Sequence, residues 1–180
     1  MAVSLDVSGG IAVVRIDEPS DTVLPDVRAL LPLVAGAGAV VLMVGSSSAA
    51  SGIKRLVRRS AAEREALAAS VRRVRDELAD LPVPVVAAID GNASGEAVEL
   101  AMGCDLRVLA SDGGLGRVTC DRVSGGQVLV ARRVTAEEAL RTGLVDRVVP
   151  SASLLRAAVE LANECKSTQA GRKSCRIVAP

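Results

Sequence analysis

Short apolar runs alternate with helical patterns along the chain. Unbroken apolar runs over residues 39–44 and 85–89 predict strands that are covered on both faces of a sheet. The alternation over residues 3–7, the turn at Ser8-Gly9-Gly10 and the run over residues 11–16 predict an N-terminal β-hairpin. Alternation of strands with helices is typical of an α/β fold.

Two helices are predicted in the first half of the chain. Apolar residues at helical spacing predict one over residues 23–35, which Pro32 is expected to weaken or end. Ser60-Ala61-Ala62-Glu63 forms a capping box, in which the serine and the glutamate bind each other's backbone N–H groups. After this capping box, apolar residues recur on one helical face, which predicts an amphipathic helix over residues 61–80.

Two shorter helices are predicted near the C-terminus. Thr135 and Glu138 have capping-box spacing, and Gly143 is the stop expected for the helix that they begin. Apolar spacing predicts a last helix over residues 153–165, and the tail from Lys166 is expected to fray.

The composition limits the available chemistry. The chain has 180 residues, 49% of them hydrophobic, and contains no Phe, Tyr, Trp or His. This length predicts a single domain whose core is built from Val, Leu, Ala and Ile. Without histidine, Ser-His-Asp or Cys-His catalysis and His-ligated metal sites are excluded within this chain. Proton transfer therefore falls to a carboxylate, a lysine or a cysteine.

Charge and cysteine usage favour a cytoplasmic protein without metal, membrane or nucleic-acid partners. The formal net charge is only +1, and no apolar run approaches the roughly 20 residues that span a bilayer. Residues 1–10 lack the pattern of a secretory leader. We expect reduced thiols at the four cysteines, which lack C-x-x-C spacing: Cys104, Cys120, Cys165 and Cys175.

Basic residues gather over 54–75, where a solvated helix face or a local phosphate site explains them better than a DNA surface does, because no aromatic residues accompany them.

The segment from Leu81 to Leu109 carries the most chemical information. Its apolar strand breaks at Asp90-Gly91-Asn92, and small residues follow up to Ala97. A helix with Glu99 in its first turn comes next, before a second strand. Unpaired N–H groups at a helix start can hold an anionic or polarised oxygen there.

This segment resembles the crotonase superfamily, the enoyl-CoA hydratase/isomerase family. The matching residues are Pro82, Pro84, Ala88, Gly91, Ala93, Gly95, Glu99, Leu100, Ala101, Cys104, Asp105 and Arg107. Residues 134–150 resemble a second family segment, and the resemblance covers roughly residues 9–161. It implies an α/β fold built as a crotonase-like spiral of ββα units. The core would span 1–150, followed by a truncated C-terminal helix and tail over 151–180.

The resemblance also implies a reaction. Members act on acyl-CoA thioesters, so a CoA thioester is the expected substrate, and no tightly bound cofactor is expected. Two backbone N–H groups, placed here at Ile53 and Glu96, would bind the thioester oxygen. Glu99 matches a catalytic glutamate and would act as acid or base, although a first-turn glutamate that stabilises the helix dipole is the alternative. A homo-oligomer, trimer or hexamer, is implied as well.

The chain departs from the family pattern at several of these positions. Glu96 replaces a glycine, and Thr119 stands where the second catalytic glutamate is expected. Asp121 is the nearest substitute, with a solvated loop aspartate as the alternative. A glycine-rich stretch of the family is compressed into residues 122–130, as if roughly twenty residues were missing. A single-carboxylate reaction such as double-bond isomerisation therefore fits better than hydration, which uses two glutamates.

For CoA binding, the resemblance points to the turns at Gly52 and Gly95 and to the basic side chains of Lys54 and Arg55, with Arg58 and Arg59 as further candidates. Two hypotheses remain: an acyl-CoA enzyme, and a catalytically reduced accessory subunit in a biosynthetic pathway that keeps the scaffold.

Overall fold

The computed structural model describes residues 3–17, 22–45, 58–123 and 126–167, and it describes residues 117–131 by their backbone alone. In these ranges the elements are, in chain order, β1 (Val3–Ser8), β2 (Ile11–Ile16), α1 (Leu24–Val34), β3 (Ala39–Val44), α2 (Ala61–Ala79), β4 (Val85–Ile89), β5 (Asn92–Ser94), α3 (Glu96–Met102), β6 (Leu106–Ala110), β7 (Gly114–Val123), β8 (Gly126–Thr135), α4 (Ala136–Arg141), β9 (Arg147–Val149) and α5 (Leu154–Ser167), the last preceded by a 3-10 turn at Ser151–Ser153.

The strands form two sheets. The larger one has six strands in the order β1-β2-β3-β4-β6-β9. Its β1 and β2 are antiparallel, as the predicted hairpin requires, and the remaining neighbours are parallel. In the smaller sheet, β7 lies between β5, to which it is parallel, and β8, to which it is antiparallel. This mixed architecture confirms the predicted α/β fold.

The central strands are buried on both faces, as their unbroken apolar runs predict. In β3, Val40, Leu42 and Val44 belong to one core cluster, which α1, α2 and α3 cover. Ala39 and Val41 point the opposite way, into a second cluster under α5. Because side chains alternate along a strand, each strand contributes to both clusters.

Helix α1 spans Leu24–Val34, close to the predicted range 23–35, and it continues for two residues past Pro32. Pro32 is the ninth of eleven helical residues. Its missing N–H removes one bond near the end of the helix. Leu31 and Val34 on either side are buried in the first core cluster, and Ala35 N–H donates to the Leu31 carbonyl at 3.1 Å. Burial of these two side chains therefore keeps the last turn helical.

The other helices begin where the sequence predicts. The Ser60 hydroxyl accepts from Glu63 N–H at 3.2 Å and the Glu63 carboxylate accepts from Ser60 N–H at 2.7 Å, which is the complete capping box. For α4, the Thr135 hydroxyl accepts from Glu138 N–H at 3.2 Å. Gly143 has the left-handed φ of 72° expected at the helix end.

Helix α5 extends further than the expected fraying at Lys166. Lys166 belongs to the helix, and its Nζ donates to the Gly9 carbonyl at 3.1 Å, which ties the helix end to the β1–β2 turn. Residues 168–180 lie outside the described part of the chain.

Two glycine-containing turns meet at the carboxyl ends of β4 and β6. The Gly91 carbonyl accepts from Gly114 N–H at 3.1 Å, and Gly91 has a φ of 71°. A Cβ on Gly113 would lie 2.3 Å from the Gly91 carbonyl oxygen and 3.0 Å from the Ala110 carbonyl oxygen. Only glycine fits at position 113, and this contact sets where β5 leaves the sheet.

Gly113→Ala is therefore expected to destabilise the protein by roughly 1–3 kcal/mol, because a methyl group there forces two backbone segments apart. The control is Gly36→Ala, since a Cβ at Gly36 meets no heavy atom within 4 Å. Urea unfolding followed by far-ultraviolet circular dichroism measures both variants. Equal unfolding midpoints for the two would contradict this account of the turn contact.

Candidate active site

Helix α3 is held by the short strand that precedes it. In β5, Asn92, Ala93 and Ser94 pair with Gly114, Leu115 and Gly116 of β7. Gly95 follows with a φ of 58°, a conformation that glycine adopts at little cost, and the helix begins at Glu96. A Cβ on Gly116 would lie 3.0 Å from the Ser94 Cβ, so the two strands approach closely just before the helix starts.

Glu96 and Glu99 share the first turn of α3. The Gly95 carbonyl accepts from Glu99 N–H at 3.1 Å. The N–H groups of the first turn of any helix, Glu96 among them, have no acceptor within the helix. An N–H donor and a carboxylate therefore lie three residues apart at one helix end.

The carboxylate of Glu99 points toward α2. Its side chain is 53% exposed, and Oε2 lies 3.4 Å from Nη1 of Arg75. Nε and Nη2 of the same guanidinium donate to Oδ1 of Asp76 at 3.1 and 2.9 Å. The hydrogen bond to Asp76 is the main reason that the pKa of Arg75 is raised above its ordinary value, and the negative charges of Asp76 and Glu99 add to the effect.

The expected first oxyanion loop begins beside this helix. Gly52, Ile53, Lys54 and Arg55 lie outside the described residues. The strand before the loop, β3, pairs with β4 so that Val44 faces Ile89, and Asp90 N–H donates to the Val44 carbonyl at 2.9 Å. Gly45 and Asp90 therefore leave the sheet next to each other, at the carboxyl ends of the parallel strands β3 and β4.

Thr119 and Asp121 lie in β7, where they pair with Val130 and Val128 of β8. The interpretation of Asp121 as a loop residue was therefore wrong. The compressed stretch forms the end of a long hairpin, and ladder pairing of the backbone extends β7 through residue 123. At about 3.3 Å per residue, Asp121 lies roughly 17 Å along the strand from Gly116, the last residue paired with β5.

Several residues that carry the resemblance hold the scaffold together. The buried Asp105 accepts from Val85 N–H at 2.9 Å through Oδ2. Arg107 donates from Nη1 to the Cys104 carbonyl at 3.0 Å and from Nε to the Leu144 carbonyl at 2.9 Å. Asp146 Oδ2 accepts from Arg107 N–H at 2.7 Å. The bonds of Arg107 with Leu144 and Asp146 join the two segments of the resemblance. All four bonds use these side chains or carboxylates to satisfy backbone groups of the scaffold.

Comparison with known proteins identifies the fold and the family. The family model described as enoyl-CoA hydratase/isomerase matches residues 7–121 and 114–176. The chain belongs to the enoyl-CoA hydratase/isomerase family. The two matched segments overlap over residues 114–121, which make up most of β7.

Solved structures have the same fold. An enoyl-CoA hydratase from Bacillus anthracis aligns with a TM-score of 0.77 at 21% identity, covering 98% of this chain and 80% of that one. A probable enoyl-CoA hydratase from Mycobacterium thermoresistibile gives 0.76 at 21% identity, with 98% and 86% covered. DspI from Pseudomonas aeruginosa gives 0.75 at 21% identity, with 99% and 85% covered.

The basic segment of this family member is a mixed-charge helix face where the structure describes it. Arg72 pairs with Glu65 at 2.9 Å and Arg75 with Asp76 at 2.9 Å, both at the surface. Arg28 of α1 reaches Glu77 of α2 at 2.8 Å. The solvated-face interpretation therefore holds for Arg72, and a phosphate site would have to use basic residues other than Arg72 and Arg75.

The described residues contain neither a cluster that could hold a metal ion nor a helix that could span a membrane. Within those ranges no group of three or more Cys, Asp or Glu side chains is arranged to hold a metal ion. No helix among the elements described above is long and apolar enough to cross a membrane.

Asp146→Ala is expected to destabilise the protein by roughly 1–3 kcal/mol, because it leaves the partly buried Arg107 N–H without its acceptor. Urea unfolding checks this value. Glu160→Ala is the control: its pair with Arg156 spans 4.0 Å between exposed side chains, and such surface pairs contribute about 0–1 kcal/mol. A loss no larger for Asp146→Ala than for the control would show that the bond between the two segments does not matter.

Proposed function

We propose that this protein is an acyl-CoA enzyme of the enoyl-CoA hydratase/isomerase type. The observation that supports it most directly is the first turn of α3, which presents the Glu96 N–H and the half-exposed Glu99 carboxylate together. Membership of the family supports a CoA thioester as the proposed substrate. We propose no tightly bound cofactor.

The backbone would stabilise the charge that the reaction creates. Removing a proton from the acyl chain next to the thioester moves negative charge onto the thioester oxygen. The N–H groups of Ile53 and Glu96 are the proposed donors to that oxygen, and one such donor contributes about 3–4 kcal/mol in known enzymes. Adjacent exit points of β3 and β4 at Val44 and Ile89 support this pairing of loops.

A single carboxylate suits proton transfer within the acyl chain. Glu99 would take a proton from one carbon and return it to another, so that the double bond moves and no atom is gained or lost. Hydration needs a second acid at the water. Thr119 occupies the position expected for it, and Asp121, the proposed substitute, lies farther along β7. We therefore favour isomerisation or enolate proton transfer over hydration.

CoA itself would be held by Gly52 and Gly95 and by the basic side chains of Lys54 and Arg55. Gly52 and Gly95 allow backbone to approach the ligand, and Lys54 and Arg55 supply positive charge for its phosphates. A trimeric or hexameric assembly and a cytoplasmic location complete the proposal.

The second candidate is a catalytically reduced accessory subunit that retains affinity for CoA or for a carrier protein. One observation favours it: Glu96 brings a carboxylate to a position where the family has glycine, and its charge would oppose an enolate.

Turnover of enoyl-CoA separates the two candidates. Loss of enoyl absorbance with crotonyl-CoA reports hydration. A gain of that absorbance from a 3-enoyl-CoA reports isomerisation to the conjugated 2-enoyl-CoA. We expect isomerisation by the natural sequence and a loss of about 10²–10⁴-fold in Glu99→Gln, which keeps the shape but cannot exchange the proton. Glu65→Gln, an exposed glutamate of α2, is the control and should retain full rate.

Calorimetric titration with CoA completes this experiment. If the natural sequence and Glu99→Gln are equally inert while both bind CoA, the enzyme proposal fails and the accessory subunit stands. If neither turnover nor binding of CoA or a CoA thioester is found, the CoA-based proposals both fail.

A further inference from the structure

The side chain of Arg75 connects α2 to the first turn of α3. We propose that Arg75, held by Asp76, is a positioning residue that fixes the orientation of the Glu99 carboxylate. The effect of Arg75 on the reaction rests on the function proposed above. The contact between Arg75 and Glu99 does not depend on that function.

The stem of Arg75 is held by the end of α3. A Cβ on Gly103 would lie 2.7 Å from the Arg75 Cγ and 2.8 Å from the Arg75 carbonyl oxygen. Position 103 therefore has to be glycine for α3 to pack on this residue of α2. The C-terminal end of α3 therefore packs on the stem of Arg75, and the guanidinium beyond that stem reaches the first turn of the same helix.

The guanidinium is oriented before it reaches Glu99. Asp76 binds Nε and Nη2 through a single oxygen, at 3.1 and 2.9 Å. This leaves Nη1 on the other side of the planar group, where it meets Glu99 Oε2 at 3.4 Å. The contact between Asp76 and Arg75 therefore sets the orientation in which Arg75 meets Glu99.

Glu99 needs such a partner because its surroundings do not restrain it. The side chain is 53% exposed, so solvent would allow several rotamers. A surface ion pair adds little to folding stability. It does limit the positions of the carboxylate, and misplacement of a reacting group by about 1 Å can cost 10²-fold in rate. The expected consequence is therefore on chemistry and not on stability.

Carboxylate footprinting tests the contact without any assay of activity. The folded protein is treated with a carbodiimide and glycine ethyl ester, and labelling of each glutamate is followed by mass spectrometry. In Arg75→Ala, labelling of Glu99 should rise several-fold while that of Glu65 stays unchanged. Arg72→Ala is the matched control, because Arg72 pairs with Glu65. There the rise should occur at Glu65 and not at Glu99. Unchanged labelling of Glu99 in Arg75→Ala overturns the proposal.

Kinetics with an enoyl-CoA then shows whether the contact serves the reaction. Arg75→Ala should lower kcat by roughly tenfold or more with KM unchanged, and Arg75→Lys should recover part of the loss. Arg75→Ala should have no further effect in a Glu99→Gln background. Asp76→Asn, which leaves the stem of Arg75 packed on Gly103, should act in the same direction and covers the case in which Arg75→Ala does not fold.

The outcomes separate this proposal from the proposed function. A natural sequence that is inert toward CoA thioesters ends the proposed function, while footprinting still decides whether Arg75 holds Glu99. An active enzyme in which Arg75→Ala leaves kcat intact, or raises KM alone, shows that Arg75 is not a positioning residue for the reaction.

Discussion

The structure depends on covering a sheet that is apolar on both faces. The strands β3, β4 and β6 have almost no exposed side chain, so neither face can meet water. Helices α1, α2 and α3 cover one face and α5 covers the other. Because the chain has no aromatic residue, this burial is spread over many Val, Leu, Ala and Ile side chains and no single large anchor dominates.

The parallel arrangement of those strands creates the site. Strands that run in the same direction end at one edge, so the loop after β3 and the turn after β4 start next to each other. The close contact between Gly91 and Gly113 then directs β5 away from that edge and toward α3. In this way, backbone packing places the first turn of α3. The chemistry proposed for it needs only the N–H of Glu96 and the carboxylate of Glu99.

The residues that most resemble the family divide into two groups. Asp105, Arg107 and Asp146 bind backbone groups and hold β4, β6 and the segment after α4 together. Glu99 is different, since it is half exposed and, within the described residues, its side chain bonds to the side chain of Arg75 and to no backbone group. The family pattern thus reports mainly on the scaffold, and a match at Asp105 says little about activity.

Local patterns in the sequence predict most of this fold and less of the site. The buried strands and α2 were predictable because apolar periodicity and capping are properties of neighbouring residues. Helix α1 continues for two residues past Pro32 because packing of Leu31 and Val34 outweighs one lost hydrogen bond. Asp121 lies in a strand because it pairs with Val128 of β8, and no pattern of neighbouring residues predicts that pairing. The contact between Arg75 and Glu99 joins residues 24 positions apart and depends on how two helices pack.

A crystal structure with a bound, unreactive enoyl-CoA analogue tests the central claim most directly. The account predicts that the thioester oxygen lies about 2.7–3.1 Å from the Glu96 N–H, with the acyl chain against the Glu99 carboxylate. A thioester bound elsewhere, with Glu99 distant from the acyl chain, would contradict it.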